Sequence, residues 1–338
     1  MEKKEKNIAW INTGRAVCML CVYLSHCNFY YLKIISPVYF VYMPFYLSFF
    51  FFMSGFLFYK NLDVFPFRKK LAGIVNKLLW PVILFPSLIW IPKMMAHGNN
   101  VRLTAYFADV FGGTAAWFVS TIIVAQLISL VLIYLFRKKL FMMLILSAAS
   151  MSLAFFLKTI DQTPFPWYYK SGMIAVFFMV LGGIAGTYYE KLKRIITIPG
   201  LLLSGILYFG LMLYNYYNLG YFQAIMSVDY DNIPLGLLNN IIGILFMLQL
   251  CHYIPEIKWL QYIGKNSIIF YFFAGGIPLT IGYLAKNFLP CHGYLTTAVV
   301  TVLCIVLVFP IAYIINRYFS WTLDFSKVTS VFKRQNKQ

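Results

Sequence analysis

The chain has 338 residues, of which 61% are hydrophobic and only 11% are charged, and its mean hydropathy is +0.75. A soluble domain carries roughly 25% charged residues, so the composition excludes a soluble enzyme and favours a membrane protein. The formal net charge of +18 does not indicate nucleic-acid binding, because the basic residues lie in short clusters between apolar stretches, which is how membrane topology is encoded.

Ten apolar stretches of about 20 residues predict ten transmembrane helices, whereas a membrane β-barrel would show short alternating segments. In chain order they cover residues 8–31, 38–59, 78–96, 116–136, 140–157, 171–189, 195–217, 234–253, 262–285 and 294–316. The sequence therefore predicts an all-α, polytopic integral membrane helix bundle. Residues 1–317 would form a single transmembrane domain, and residues 318–338 a short basic tail.

The distribution of lysine and arginine predicts the orientation of the bundle. If the N-terminus is cytoplasmic, the inner segments hold 20 basic residues and the outer segments hold six. Short cytoplasmic loops carry an excess of lysine and arginine in membrane proteins. An odd number of spans would break the alternation, so we expect both termini on the cytoplasmic side.

The first span carries two ionisable side chains, Arg15 and His26. In a helix, residues 11 apart are only about 20° apart around the axis and roughly 16 Å apart along it. Two interpretations are open: both side chains reach opposite headgroup layers, or both face a cavity or partner inside the bundle. The shared face favours the second, in which His26 would be a general base and Arg15 would hold a phosphate or polarise a carbonyl.

An inner loop carries a second group of cations, Arg68, Lys69, Lys70 and Lys77. These side chains either serve only topology and attraction to anionic lipid, or bind a phosphorylated donor such as coenzyme A. No acidic residue is predicted in the middle of a span, which disfavours a proton-coupled transporter. The six cysteines form no metal-ligand spacing with histidine, so we expect no metal cofactor.

Several short motifs occur in a recognisable order along the chain. The Arg15–His26 spacing comes first, followed by Tyr42-Met43-Pro44-Phe45 and Ser54-Gly55-Phe56 in the second span. Later motifs are a basic stretch with a proline, an aromatic pair at the start of the fourth span, and a glycine–serine–tyrosine segment. Their residues are Lys69, Lys70, Lys77 and Pro81; Trp117-Phe118; and Ile263-Gly264-Lys265-Asn266-Ser267 followed by Ile269-Phe270-Tyr271.

Taken together, this order resembles acyltransferase family 3, a family of integral membrane proteins that O-acylate cell-envelope sugars and other acceptors. The resemblance implies that cytoplasmic acyl-coenzyme A, expected to be acetyl-coenzyme A, donates an acyl group to a hydroxyl of a polysaccharide or lipid-linked glycan. His26 would deprotonate that hydroxyl or briefly carry the acyl group, and Arg15 would position the donor. The cations at 68–70 and 77 would bind donor phosphates, and the remaining motif residues would contact substrate: Tyr42, Trp117, Ser267 and Tyr271.

The chain departs from the family pattern at two positions, where the family often has histidine and this sequence has Tyr42 and Ala274. We therefore expect the transfer chemistry to be kept and the acceptor to differ. The expected location is the bacterial inner membrane, and a separate extracytoplasmic acyltransferase is a further expected partner. Two other functions remain open from the sequence: a transporter or flippase for envelope precursors, and a non-catalytic partner in a polysaccharide-export complex.

Overall fold

The structure is a computed structural model that describes residues 9–32, 37–60, 66–96, 101–137, 139–163, 166–219, 222–288 and 293–328. Within these ranges, eight helical stretches are long and apolar enough to cross a membrane, and a bent helix pair can supply a ninth. The protein is thus a polytopic all-α membrane protein, as predicted. The predicted basic residues Lys3, Lys4 and Lys6, the tail after Val328, and Cys291 lie outside the described residues.

Nine of the ten predicted spans correspond to these stretches, and the first overlaps the helix Ala9–Cys27, which is not among them. The helices are α1 Ala9–Cys27, α2 Val38–Tyr42, α3 Tyr46–Phe58, α4 Phe67–Ile74, α5 Trp80–Ala96, α6 Leu103–Phe111, α7 Trp117–Phe136, α8 Leu140–Ile160, α9 Tyr169–Thr187, α10 Tyr189–Leu192, α11 Ile198–Tyr214, α12 Ile233–Tyr253, α13 Lys258–Lys265, α14 Ser267–Phe273, α15 Gly276–Phe288 and α16 Tyr294–Tyr318. A π-helical turn, Asn28–Leu32, extends α1, and another, Val75–Leu79, joins α4 to α5. The predicted ninth span is the bent pair of α14 and α15, whose axes differ by 47°.

Helix α1 lies in the interior of the bundle, although it is less apolar than its neighbours. It packs against α3, α12, α13 and α16, and Tyr23 and Cys27 are completely buried. The polar residues near its start are enclosed as well, since Asn12 Nδ2 donates to Gln261 Oε1 at 2.9 Å and Gln261 Nε2 donates to Thr13 Oγ1 at 3.0 Å. Neighbouring protein, rather than lipid, therefore satisfies these two polar side chains.

Close helix contacts at glycine hold the middle of the bundle together. A Cβ added to Gly55 of α3 would lie 1.9 Å from the Met179 carbonyl oxygen of α9, and one added to Gly182 would lie 1.9 Å from the Phe52 carbonyl oxygen. Small residues allow two helix backbones to approach this closely. Helices in a membrane associate through such packing, because lipid is as apolar as their side chains and the hydrophobic effect does not drive them together. The reciprocal pair fixes α3 against α9.

Regular structure also occurs in segments outside the predicted spans. Helix α6 lies in the long loop between α5 and α7, and a two-residue hairpin pairs Gln223–Ala224 with Asp229–Tyr230 between α11 and α12. The beginning of the predicted tail forms two short 3-10 turns, and Trp80 Nε1 donates to the Trp321 carbonyl at 3.1 Å.

Candidate active site

His26 lies in the last turn of α1, where two cavities meet. One, which we call the apolar cavity, has a volume of about 410 Å³, and the other, the aromatic cavity, has a volume of about 350 Å³. Four side chains line both cavities: His26, Tyr30, Trp117 and Tyr271. Both volumes lie in the range of about 300–1,000 Å³ that is usual for small-molecule sites. His26 therefore borders both cavities.

The apolar cavity lies between α5, α14, α15 and α16. Hydrocarbon side chains and prolines make up most of its wall, with Thr114 and Thr280 as its additional hydroxyl groups. The apolar lining includes Pro86, Ile89, Pro92, Phe272, Phe273, Leu279, Ile281 and Leu307. Two adjacent glycines, Gly275 and Gly276, complete the wall at the bend between α14 and α15.

The aromatic cavity lies on the other side of His26, between the end of α1 and helices α2 and α3. Its wall combines tyrosine rings with small polar side chains and one edge of the outer hairpin. The lining includes Ser25, Asn28, Tyr39, Tyr42, Tyr46, Phe222 and Met226. Rings that carry hydroxyl groups, together with an amide, suit a ligand with both apolar faces and hydroxyl groups.

Neighbouring groups orient the four residues that line both cavities, which we call the shared wall. The His26 ring stacks on Tyr30 with a centroid distance of 5.8 Å and an interplanar angle of 14°. The backbone amide of Phe118 donates to the Tyr271 hydroxyl oxygen at 3.2 Å, so this hydroxyl satisfies one of the amides left unpaired at the start of α7. The shared wall thus joins α1, the start of α7, and α14.

Tyr42 stands where the family often has histidine, and it lies beside the histidine that this chain retains. Its hydroxyl is 2.8 Å from the hydroxyl of Ser25, the residue preceding His26. Its ring contacts those of Tyr39 and Tyr46 with centroid distances of 5.4 and 5.5 Å. Tyr42 and Ser25 thus contribute a pair of hydroxyl groups to the lining of the aromatic cavity.

The outer loops hold the start of α7 in place. Asp109 accepts from Trp90 Nε1 and from Thr114 Oγ1, both at 2.9 Å, and so ties the cavity wall to α6 and to α5. Tyr168 contacts Trp117 with a centroid distance of 5.9 Å and adopts a φ of 51°, which is uncommon for a residue with a side chain. Burial, and then the charge of Asp109, raises the pKa of Tyr168, so its hydroxyl is protonated at neutral pH.

Arg15 lies on the same continuous helix as His26, about 16 Å nearer its start, and lines neither of the two cavities. Its Nε is enclosed and has no hydrogen-bond partner, and its guanidinium carbon is 6.0 Å from the centre of the Phe50 ring. Among the residues that the structure describes, no carboxylate pairs with it. An unpaired cation inside a bundle is costly, and an anionic ligand would compensate that cost.

The cations predicted to bind a phosphorylated donor lie on α4 and on the π-helical turn that follows it. Arg68, Lys69 and Lys77 are exposed, while the Lys70 ammonium donates to the Phe58 carbonyl at the end of α3 and packs over the Phe58 ring at 4.5 Å. The helical stretch Phe67–Pro92 connects this basic segment directly to the wall of the apolar cavity. The four cations thus lie at one end of a helix whose other end reaches the cavity beside His26.

The structure brings some of the predicted site residues together and separates others. Tyr42, Trp117 and Tyr271 line the cavities beside His26, whereas Ser267 is buried at the start of α14 and is not in the lining of either cavity. Sequence reasoning overlooked Tyr30, Asn28 and the glycine pair. Tyr30 had a detectable signal, because residues four apart share a helix face, but no local pattern indicated the glycine pair.

Comparison with known proteins supports one family. The profile of acyltransferase family 3, described as an acyltransferase domain, matches residues 8–317. No curated protein and no solved structure matches the chain. The matched range contains both cavities, α1 and the basic segment.

Proposed function

The chain belongs to acyltransferase family 3 and is a membrane acyltransferase, and from this premise we propose that it transfers an acyl group from coenzyme A to a hydroxyl of a cell-envelope glycan. One observation carries the proposal: His26 lines two cavities at the wall that they share. A transferase needs one group that reaches both substrates, and an imidazole in this position meets that need.

The donor would approach from the cytoplasmic end of the bundle. Arg68, Lys69 and Lys77 are exposed and would lie at that end, and a cluster of cations suits the phosphates of coenzyme A. Arg15, whose Nε has no partner, would bind a polar group of the donor further in. The thioester would then lie near His26, with acetyl-coenzyme A as the donor that the sequence favours.

The reaction requires one proton transfer and one exchange of bonds at the acyl carbon. His26 would accept the proton of the acceptor hydroxyl while its oxygen bonds to the acyl carbon. The carbon–sulfur bond breaks, and the proton passes to the departing coenzyme A thiolate. If His26 instead carries the acyl group, a ring nitrogen first bonds to the acyl carbon as the carbon–sulfur bond breaks, and the acceptor oxygen then displaces that nitrogen. Label would remain transiently on the protein.

The acceptor would occupy the aromatic cavity. Ser25, Asn28 and Tyr42 offer hydroxyl and amide groups there, and the neighbouring tyrosine rings can pack against a sugar. The acceptor would be a polysaccharide or lipid-linked sugar at the bacterial inner membrane. A separate extracytoplasmic acyltransferase could take the acyl group onward from this site.

The proposal is tested by acyl transfer in isolated membrane vesicles. Labelled acetyl-coenzyme A is added to vesicles that contain the native protein or His26→Gln, and label is followed into protein, lipid and glycan fractions. We expect label in lipid or glycan with the native protein, and a decrease of about 10²–10⁴-fold with the variant, the usual contribution of a general base.

A second histidine serves as the matched control. His252 is hydrogen-bonded to Tyr189 at 2.9 Å and stacks on Trp10, in contact with neither cavity, so we expect His252→Gln to retain transfer when present at equal amounts. Equal transfer by the native protein and His26→Gln would refute the assignment of His26. Absence of coenzyme A-dependent label in every fraction would favour a transporter.

A further inference from the structure

A third cavity lies between α9 and α12, away from His26. Both helices pack against α3, and the space that they leave beside Phe52 has a volume of about 420 Å³. We call it the α9–α12 groove. Apart from Tyr188 and Lys191, its lining residues have hydrocarbon side chains. They are Phe52, Leu181, Ile184, Ala185, Leu192, Ile195, Ile241, Ile244 and Leu245. Among the residues that the structure describes, none lines both this groove and a cavity beside His26.

The groove is open on the lateral surface of the bundle. Leu245 of α12, Tyr188 and Ile195 are exposed along it, whereas Phe52 of α3 is buried. The lateral surface of a membrane protein contacts lipid, whose chains are as apolar as these side chains. Water, in contrast, would find few hydrogen-bond partners in the groove. A hydrocarbon chain is therefore the ligand that this wall accommodates best.

The groove is about as long as one leaflet of a bilayer. It extends from Ile241, near the middle of α12, to Lys191 on α10. Helix α10 meets the end of α12, because the Tyr189 hydroxyl is 2.9 Å from His252 Nε2. Residues 241 and 252 are roughly 16 Å apart along the helix, and the hydrocarbon core of a bilayer is about 30 Å thick. The groove thus corresponds to the leaflet at the end of the bundle that the sequence predicts to be cytoplasmic.

Cations lie at the end of the groove where the headgroup of such a lipid would be. Lys191 lines the groove, and its ammonium is 5.5 Å from the centre of the Tyr188 ring. Of its two basic neighbours, Lys193 is 2.9 Å from a carboxylate oxygen of Glu190, whereas Arg194 is exposed. In the part of the chain that the structure describes, no carboxylate pairs with Lys191 or Arg194. Basic pockets between membrane helices at the cytoplasmic face bind anionic lipid headgroups.

We propose that the α9–α12 groove binds one anionic phospholipid, with an acyl chain against its hydrocarbon wall and the phosphate beside Lys191 and Arg194. An anionic headgroup suits this position better than a zwitterionic one, which brings a cation of its own towards these two. Because the groove and the cavities beside His26 have no described lining residue in common, the lipid would affect the stability of the protein rather than donor binding. The proposal is independent of acyl transfer.

The experiment compares two phospholipids that differ only in headgroup. Phosphatidylglycerol and phosphatidylcholine with the same acyl chains are each titrated into the purified full-length protein in a non-ionic detergent. The dissociation constant of each is obtained from the shift in thermal denaturation midpoint, and native mass spectrometry counts the phospholipids that a protein molecule retains. We expect one retained phosphatidylglycerol. It should bind roughly tenfold to thirtyfold more tightly than phosphatidylcholine, because two cations attract its phosphate.

Two pairs of variants test the headgroup and the chain separately. Lys191→Gln combined with Arg194→Gln should lower the affinity for phosphatidylglycerol to that for phosphatidylcholine. Its control, Lys139→Gln combined with Lys258→Gln, removes two exposed cations that do not line the groove and should keep the native preference.

For the chain, Leu245→Trp places a larger ring at an exposed position of the groove wall and should weaken the binding of both phospholipids about tenfold. Leu207→Trp alters an exposed residue of α11 that does not line the groove and should keep native binding. If Leu245→Trp does not fold, Ala185→Leu narrows the same groove and carries the same expectation.

Several outcomes would overturn the proposal. Equal affinity of the native protein for the two phospholipids would show that the groove is covered by any lipid rather than by an anionic one. A preference for phosphatidylglycerol that persists in the Lys191 and Arg194 double variant, or that both double variants lose equally, would assign the preference to surface charge elsewhere. Native binding by Leu245→Trp would place the lipid outside the groove. None of these measurements uses coenzyme A, so they leave the proposed acyl transfer untouched.

Discussion

The two ends of α1 differ in how their neighbours pack around them. Near Arg15 the helix is tightly enclosed: a Cβ added to Gly264 of α13 would lie 2.0 Å from the Asn12 carbonyl oxygen, and one added to Gly14 would lie 2.6 Å from Met53 Sδ. Near His26 the helix borders two cavities, and a Cβ added to Gly282 of α15 would find its nearest neighbour, in Tyr30, at 3.6 Å. One end is fixed by backbone contact and the other borders open space.

Because of this difference, the two ends of α1 are suited to different functions. At the enclosed end, close packing holds the Arg15 side chain in a fixed position within the bundle. The open end must admit and release substrates, which requires space around the imidazole. We expect substitutions near Arg15 to affect stability and the donor, and substitutions near His26 to affect the acceptor and the acyl group.

The largest expected effect concerns the glycine contacts at the two ends. Gly264→Ala must displace the backbone of α1 and should destabilise the protein by about 3 kcal/mol, whereas Gly282→Ala adds a methyl group at ordinary contact distance and should change stability by less than about 1 kcal/mol. Thermal denaturation of both variants in detergent measures the difference. Similar midpoints would show that the ends are equally packed, against the comparison above.

Replacement of Arg15 should affect stability and donor use in opposite directions. Arg15→Met removes an unpaired enclosed cation, so the denaturation midpoint without ligand should rise. The loss of a charged hydrogen bond to the donor should raise its KM by roughly tenfold to thirtyfold, or about 2 kcal/mol. Arg15→Lys keeps the charge and should lie between Arg15→Met and the native protein in both measurements. A lower midpoint together with native KM would assign Arg15 a purely structural role.

At the open end, Tyr42→Phe should have a smaller and more selective effect. The change removes a hydroxyl that lies 2.8 Å from Ser25 Oγ, which is worth about 1 kcal/mol or fivefold in rate. The decrease should appear in transfer to the acceptor and not in the donor KM. Tyr217→Phe alters an exposed tyrosine and should behave as the native protein does. An effect of Tyr42→Phe on donor KM alone would place the donor, not the acceptor, in the aromatic cavity.

The smallest effect is expected at the exposed cations of α4. Arg68→Ala combined with Lys69→Ala should raise the donor KM by roughly threefold at low ionic strength, and the effect should vanish in high salt because exposed charges are screened. Lys191→Ala combined with Arg194→Ala removes two other exposed cations and serves as the control. Equal changes in both double variants would show a general effect of surface charge rather than a donor site.

Parts of the site could be predicted because they depend on local geometry. The shared face of Arg15 and His26 follows from helix periodicity, and the structure keeps Ala9–Cys27 as one unbroken helix. The order of motifs indicated Tyr42, Trp117 and Tyr271, all of which line a cavity beside His26. Ser267 came from the same reasoning, yet it is buried elsewhere on α14, because a motif does not specify which helix face borders the open space.

Other features could not be predicted, since they depend on distant parts of the chain. Asp109 was a loop residue in the sequence, but α6 brings it within hydrogen-bond distance of Trp90 and Thr114. Phe222 and Met226 line the aromatic cavity next to the two-residue hairpin. The sequence of this segment has no alternation of apolar and polar residues that would predict its strands. Short segments of this kind take their structure from the surface on which they pack.

The sequence alone determined that this protein spans the membrane many times, which family it belongs to, and which helix carries its ionisable pair. The spans are set by local composition, because the cost of burying a span depends on its own residues, and the family is indicated by the order of motifs along the chain. Only the tertiary structure decided that α1 is enclosed at Arg15 and open at His26. That difference arises from the bend of 47° between α14 and α15 and from backbone contact at Gly264. Packing between residues that are far apart in the chain, such as Asn12 and Gly264, therefore sets the shape of the site.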